Sequence, residues 1–241
     1  MLITVIVPCF NSEKTIGLTL SSILLQTYSN LEVIIVDNCS TDNSELKIKS
    51  FDDQRIKYFK RDRDYGAGAS RNYALNHAKG EIISYCDADD FWDPEYLQKV
   101  AKIFSDNLEI NFVYARFIKQ DPNLYTIEGS NIYGSALQQG YLCAPSVISV
   151  KKDFLLNSKV EWPPRMWAED DYFTFELSKI ANIKLIREDF IYYGAGPNNW
   201  SSKSKEVAEG TLKLYLYYKN DFLCFVRIVN ILFQLLSLCL F

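Results

Sequence analysis

Runs of apolar, β-branched residues alternate with helical patterns through the first half of this chain, and that alternation limits the fold more than any other feature. Residues 2–8, 31–37, 55–59 and 81–86 read as strands, and helical patterns fall at 13–26, 42–50, 69–78 and near 94–105. A strand that is apolar on both faces must be covered on both. Parallel neighbours in turn need crossover helices. The pattern therefore specifies an α/β domain with a mostly parallel central sheet and helices on both faces. Further along, 110–117 and 145–150 read as strands and 169–180 as a helix. Two short strands are expected at 183–187 and 190–194, and 119–143 reads as loops with a short helix. No Pro- or Ser-rich linker divides the chain, and no internal repeat is visible.

The polar residues that matter stand where strands end. Ile82-Ile83-Ser84-Tyr85-Cys86 runs straight into Asp87-Ala88-Asp89-Asp90. The carboxyl edge of an open α/β sheet is where ligands bind. Clustered carboxylates at such an edge suit a hard cation, Mn²⁺ or Mg²⁺, shared with substrate phosphates. The plain alternative is a solvated turn, with Asp93-Pro94 as cap and first residue of the next helix. The first strand ends at Pro8-Cys9-Phe10-Asn11, where Phe10 can stack on a flat base. The second ends at Asp37-Asn38, with Ser40 or Thr41 able to cap the next helix. Glu169-Asp170-Asp171 opens a helix, a place the macrodipole favours for acids in any protein.

Composition removes several classes. The net charge is −4 over 241 residues, and the basic cluster Lys57, Lys60, Arg61 and Arg63 is interrupted by Asp62 and Asp64, so no nucleic-acid footprint is present. The six cysteines are scattered with no C-x-x-C pair, which rejects a zinc site or disulfide framework and fits free thiols in a reducing compartment. The amino terminus has no basic segment or small-residue cleavage site, so a signal peptide is not expected and a cytosolic location is. His77, the single histidine, has no assigned role.

The last twenty residues differ in character. From 222 to 241 the polar residues are Arg227, Asn230, Gln234 and Ser237, which fall within an arc of roughly 80° on a helix. At about 1.5 Å per residue the helix would be roughly 30 Å long, barely a bilayer. A polar stripe containing arginine favours a helix lying on or docked at a membrane. The alternatives are packing on the domain's own core, on a second subunit as a homodimer, or a span. The expected division is thus a catalytic domain, 1–221, and a C-terminal amphipathic membrane-associating or docking helix, 222–241.

Taken together, Val5-Ile6-Val7-Pro8-Cys9-Phe10-Asn11, then Gln26-Thr27-Tyr28-Ser29-Asn30-Leu31-Glu32-Val33-Ile34-Ile35-Val36-Asp37-Asn38, resemble the inverting nucleotide-sugar glycosyltransferases of family two, which have the GT-A fold. Gly68-Ala69-Ser70-Arg71-Asn72, Asp87-Ala88-Asp89-Asp90 and Ala168-Glu169-Asp170-Asp171-Tyr172-Phe173 extend the likeness in order over about residues 2–195. The resemblance implies an enzyme that moves a sugar from a nucleoside diphosphate, with UDP expected, to a glycan or lipid-linked acceptor. It implies Pro8 and Phe10 lining the base and ribose pocket, and Asp37 and Asn38 contacting the base. Arg71 would approach the base or diphosphate and Asp87 the ribose. Asp89 would hold Mn²⁺ or Mg²⁺, and Asp170 would be the general base. Asn38 departs from the family, which commonly has Asp there. By analogy the setting is bacterial surface polysaccharide, meaning capsule, O-antigen or lipooligosaccharide, with the protein peripheral on the cytoplasmic face of the inner membrane. Two alternatives are a nucleotidyltransferase on a similar fold and a non-catalytic nucleotide-sugar-binding subunit. The first usually needs a Gly-rich basic loop after the first strand, which Pro8-Cys9-Phe10-Asn11-Ser12 is not. Trp162, Trp167 and Trp200 are candidate sugar platforms, with burial as the commoner role of Trp. Gly194–Trp200 is a candidate lid.

Overall fold

The computed structural model describes residues 1–117, 127–139, 142–164 and 168–192. The expected tail helix 222–241, a helix near 204–218, the lid at 194–200, Trp167 and Trp200 all lie outside those residues. In chain order the elements are β1 (Ile3–Cys9), α1 (Ile16–Leu24), β2 (Leu31–Asp37), α2 (Ser44–Lys49), β3 (Ile56–Lys60), α3 (Ala67–Leu75), β4 (Ile82–Tyr85), β5 (Phe91–Trp92), α4 (Tyr96–Asp106), β6 (Phe112–Phe117), β7 (Gly129–Ser130), α5 (Tyr133–Gln139), β8 (Ile148–Lys151), α6 (Lys152–Ser158), α7 (Glu169–Ser178) and β9 (Asn182–Tyr192). Among the described residues no helix is long and apolar enough to cross a membrane.

One sheet runs in the order β3-β2-β1-β4-β8-β6-β9-β5, with β7 beside β9. Its first half, β3-β2-β1-β4, is wholly parallel, as the continuous apolar runs require. Every residue of β1 and β2 is buried. The second half is mixed. β8 lies antiparallel between β4 and β6, and β9 returns parallel to β6. Most paired residues are in parallel pairs, in line with the expected fold class. At the β4–β8 seam two buried hydroxyls satisfy each other, Ser84 Oγ and Ser149 Oγ at 2.7 Å, as buried polar atoms must.

The sequence pattern misplaces several boundaries for identifiable reasons. Helix α1 begins at Ile16 rather than 13, because the backbone before it is tied to the neighbouring loop: Ser12 N–H donates to Ser44 Oγ at 2.7 Å and Glu13 N–H to Asp42 at 3.0 Å. The strand expected from 145 opens with a 3₁₀ turn at Pro145–Val147. The two strands expected at 183–187 and 190–194 are one strand, β9, whose register against β6 shifts around Arg116, so the break in pattern is a bulge and not a turn. Helix α6 has no counterpart in the sequence pattern; it follows β8 without a turn residue.

Candidate active site

Parallel register brings the ends of β1, β2 and β4 to one edge: Cys9 lies opposite Asp37, and Ile6 opposite Tyr85. The loops after β1 and β2 are then laced together. Asn11 N–H donates to Ser40 Oγ at 2.9 Å, and Asn11 Oδ1 accepts from Thr41 N–H at 2.9 Å. Asn43 N–H donates to Glu13 at 3.0 Å. Asn11 and Cys39 both have left-handed backbones, with φ of 49° and 70°. A cross-braced edge of this kind is rigid, which a binding site needs.

Asp37 and Asn38 stand on that edge with different duties. Asp37 is wholly buried. Its carboxylate accepts from Ser40 N–H at 2.8 Å and from the Tyr58 hydroxyl at 2.7 Å. Its oxygens thus hold the turn and β3. Asn38 accepts from Tyr65 N–H at 2.9 Å through Oδ1 and donates its amide to Asp64. Pro8 is buried in β1, while Phe10 is 49% exposed at the rim, where a ring can stack on a ligand. Burial, with Asp37's charge second, pushes the Cys9 thiol up to about 12, so it stays protonated and inert.

Arg71 organises the other cluster. It sits on α3 and is 3% exposed. Its guanidinium donates to Asp87, after β4, at 2.6 Å, and to Glu169, at the start of α7. Its flat face lies 4.4 Å over the Trp162 ring. Trp162 stacks on Phe173 of α7 at 3.9 Å between centroids, with Tyr85 of β4 edge-on at 5.0 Å. Asn72 brackets the same Trp: its side chain donates to Trp162 O at 2.8 Å and accepts from Trp162 N–H at 3.0 Å. Arg71 and Asn72 therefore pin α3, β4 and α7 into one unit. Arg71 Nε has no hydrogen-bond partner among the described residues. Trp162 is 1% exposed, which makes it this arginine's shelf rather than a sugar platform.

Helix α3 reaches this position because its second residue is glycine. A Cβ on Gly68 would stand 2.4 Å from Pro163 O. Asp87 is further fixed by its N–H donating to Ser146 Oγ at 2.9 Å. The acids follow in a tight turn, Asp90 N–H donating to Asp87 O at 3.1 Å, before β5 leads the chain to β9.

Electrostatics mark Asp89 and Asp170. Burial first, then the charge of Asp87, raises Asp89 to about 6. A divalent ion would supply the positive charge that this carboxylate calls for. Among the described residues no group of three or more His, Cys, Asp or Glu side chains is placed to hold a metal. Asp89 fits such an ion only as one protein oxygen beside substrate phosphates. Burial also raises Asp170, with Arg71 pulling the other way. A helix N-terminus alone would have held Asp170 ionised; here desolvation outweighs it. Glu169 is raised by burial too, against the same opposing pull from Arg71. Asp171 is buried. Ala168, before α7, takes a left-handed backbone with φ 56°, costing about 1 kcal/mol or more for a residue with a Cβ.

The structure thus brings Arg71, Asp87, Glu169 and Asp170 together, and separately Asp37 and Asn38. Sequence reasoning missed Tyr58, Asp64 and Ser146 and the Arg71–Glu169 pair, none of which carries a local signal.

Comparison with known proteins gives the same picture. The model of glycosyl transferase family 2 matches residues 4–160. A glucosyltransferase of Escherichia coli, UDP-Glc:alpha-D-GlcNAc-diphosphoundecaprenol beta-1,3-glucosyltransferase WfgD, is 32% identical over 193 residues, which is 79% of this chain and 75% of that protein. Staphylococcus aureus TarS 1-349, solved with UDP-GlcNAc, superposes with a TM-score of 0.78 at 21% identity over 97% of this chain and 73% of its own. The mannosyltransferase PcManGT of Pyrobaculum calidifontis, solved with GDP-Man and Mn²⁺, superposes at 0.72 and 20% identity over 95% and 68%. With this backbone and a family model matching residues 4–160, the chain belongs to glycosyl transferase family 2: it is a glycosyltransferase of GT-A fold.

Proposed function

We propose that the protein is an inverting transferase that moves a sugar from a nucleoside-diphosphate sugar, with UDP as the carrier, to a lipid-linked glycan during surface-polysaccharide synthesis. The observation that carries this reading is the Arg71 pin. It ties Asp87, on the donor edge, to Glu169, next to Asp170, so a donor carboxylate and a base candidate belong to one rigid unit. Asp170 takes the proton of the acceptor hydroxyl as that oxygen attacks the anomeric carbon. Its raised affinity for a proton suits a base better than an ordinary aspartate would. Asp87 faces the ribose and Phe10 stacks on the base. Asp89 and the diphosphate would hold Mn²⁺ or Mg²⁺, which supplies charge stabilisation for the leaving diphosphate. The lipid-linked acceptor is supported by WfgD, whose name specifies a diphosphoundecaprenol substrate. It is supported also by the apolar 222–241 segment with its polar stripe, which would keep the protein peripheral at the cytoplasmic membrane face.

The test is transfer from UDP-sugars to a GlcNAc-diphospholipid with Mn²⁺ present. Asp170→Asn is expected to lower turnover by roughly 10²–10⁴-fold with donor binding retained. Asp89→Ala is expected to lose metal-dependent UDP binding without unfolding. Normal turnover in Asp170→Asn, or full activity in EDTA, overturns the respective assignment.

A further inference from the structure

We infer that Arg116 takes a phosphate of the acceptor, and that the enzyme thereby selects a sugar carried on a diphosphate over the same sugar in a neutral glycoside. The inference deepens the reading above and rests on its lipid-linked acceptor.

Register places the residue. Strand β8 is antiparallel to both β4 and β6, so β4 and β6 run the same way and end at the same edge. Ile83 and Phe112 both pair with Val150. Asp87 and Arg116 each come four residues later, so they stand level, two strand spacings or about 10 Å apart. Across the sheet the order is β2, β1, β4, β8, β6. Phe10, Asp37 and Asn38 therefore lie on one side of the acid turn and Arg116 on the other. A donor laid with its base at Phe10 and its diphosphate at Asp89 occupies the β1–β4 side, which leaves the β6 side to the acceptor. The face is also the right one. Val113 pairs with Ser149 and Ser149 with Ser84, so Tyr114 and Tyr85, one residue on, share the opposite face. Helix α7 covers that face, its Phe173 meeting Tyr85 edge-on at 6.0 Å. Burial, then the charges of Asp170 and Asp171, raises the Cys143 thiol, and the Tyr114 hydroxyl is raised by burial and then by Cys143. The base candidate and the strand that leads to Arg116 thus share a neighbour.

Arg116 is unlike the other arginine of this edge. Arg71 is committed to Asp87 and Glu169. Among the described residues Arg116 makes no ion pair, not even with Asp189, its register partner on β9. Its Nε is buried and has no hydrogen-bond partner among those residues. A desolvated donor left without an acceptor is costly, and more so on a charged group. The β6–β9 register shifts on both sides of Arg116, so the sheet gives up regularity around this one residue. A guanidinium fork matches two phosphate oxygens at once. An anionic acceptor must also approach an edge that already holds Asp87, Asp89, Glu169 and Asp170, and a cation not already paired offsets that repulsion. A donor phosphate has the same chemistry, so the experiment must separate the two sources.

The probes are GlcNAc-diphosphate on a short alkyl chain and the octyl glycoside of GlcNAc, each offered with UDP-glucose or UDP-GlcNAc and Mn²⁺. The kcat/KM for both acceptors, and UDP affinity by calorimetry, are measured for wild type, Arg116→Gln and Arg116→Lys. Wild type should prefer the diphosphate by at least about tenfold, the worth of one hydrogen bond between charged groups. Arg116→Gln should lose most of that preference, through KM rather than kcat. Arg116→Lys should keep part of it, because the charge remains without the fork. Raising salt from about 0.05 to about 0.5 M should shrink the wild-type preference, which tests the charge even where a variant fails to fold. Equal losses on both acceptors would show a structural role, and a matching loss of UDP affinity would give the phosphate to the donor; either overturns the inference. So does a preference that neither salt nor Arg116→Gln moves. If wild type glycosylates neither acceptor, the reading of the acceptor falls, and this one with it; activity without the preference sinks this one alone.

Discussion

Replacing Arg71 by methionine tests the pin most directly. Methionine keeps the unbranched stem and can still lie on Trp162, so packing is largely preserved. What is lost is a positive charge, 3% exposed, between two carboxylates whose side chains are 30% exposed for Asp87 and 18% for Glu169. Removing one partner of a buried ion pair typically costs about 3–5 kcal/mol, because an uncompensated charge stays behind. Asp87 is open enough to be hydrated, which argues for the lower end, about 3 kcal/mol, with Glu169 carrying most of it. The pH dependence identifies that carrier. Burial already raises Glu169 above its ordinary value near 4.5, even with Arg71 present. An acid that binds its proton more tightly when folded stabilises the fold below its unfolded pKa, and this contribution disappears as pH rises through the folded pKa. Without Arg71 the folded pKa moves higher still. The deficit of Arg71→Met should therefore be full near neutral pH and shrink as pH falls through the raised pKa of Glu169, above its ordinary value near 4.5. Urea denaturation from about pH 4.5 to 7 measures it, and Arg71→Lys, which keeps the charge but loses the fork, should lose less. A deficit under about 1 kcal/mol at neutral pH, or one that does not change with pH, would refute the reasoning.

Three further outcomes are expected. Turnover should fall with decreasing pH along a limb lying above the ordinary aspartate value of 3.8, because Asp170 is raised and only its ionised form accepts a proton; persistence of the same limb in Asp170→Asn would remove the assignment. Gly68→Ala should destabilise by about 1–3 kcal/mol, since the Cβ meets a backbone oxygen that cannot rotate away; an unchanged melting temperature counts against the close approach of α3. Deleting 222–241 should move the protein from the membrane to the soluble fraction in cell fractionation with UDP binding kept, whereas loss of the fold would make that segment part of the core.

The parallel half of the sheet was legible because its strands carry the signal themselves. Val33 to Val36 is apolar at every position, and only a strand covered on both faces uses such a run. The acids after β4 were legible for the same reason: a strand that ends abruptly in Asp87 fixes where its edge is. The mixed half was harder. β5 and β7 have two residues each, too short for any period, and β9 reads as two strands because its bulge interrupts the alternation. The partners of the site residues were not legible at all. Arg71 and Glu169 are separated by 98 positions, and Asn72 and Trp162 by 90. Nothing local in either stretch announces its partner. Asp64 was visible only as one of two acids interrupting a basic cluster, which reads as a solvated surface until Asn38 is seen against it.

Arg71 carries a charge that is already engaged within the fold. The resemblance implies that it approaches the base or diphosphate; in the structure its guanidinium donates to Asp87 and Glu169. A guanidinium so engaged cannot also neutralise a diphosphate at full strength, so on the proposed reading the compensating charge would come from a cation at Asp89. The raised proton affinity of Asp89 follows from the same division: Asp87 has Arg71 for a counter-charge, while Asp89 feels its own burial and Asp87's repulsion. The two acids of the turn are thus unlike in kind. One is tied through Arg71 to the start of α7, and on the proposed reading the other would have its charge balanced by a metal ion shared with the diphosphate.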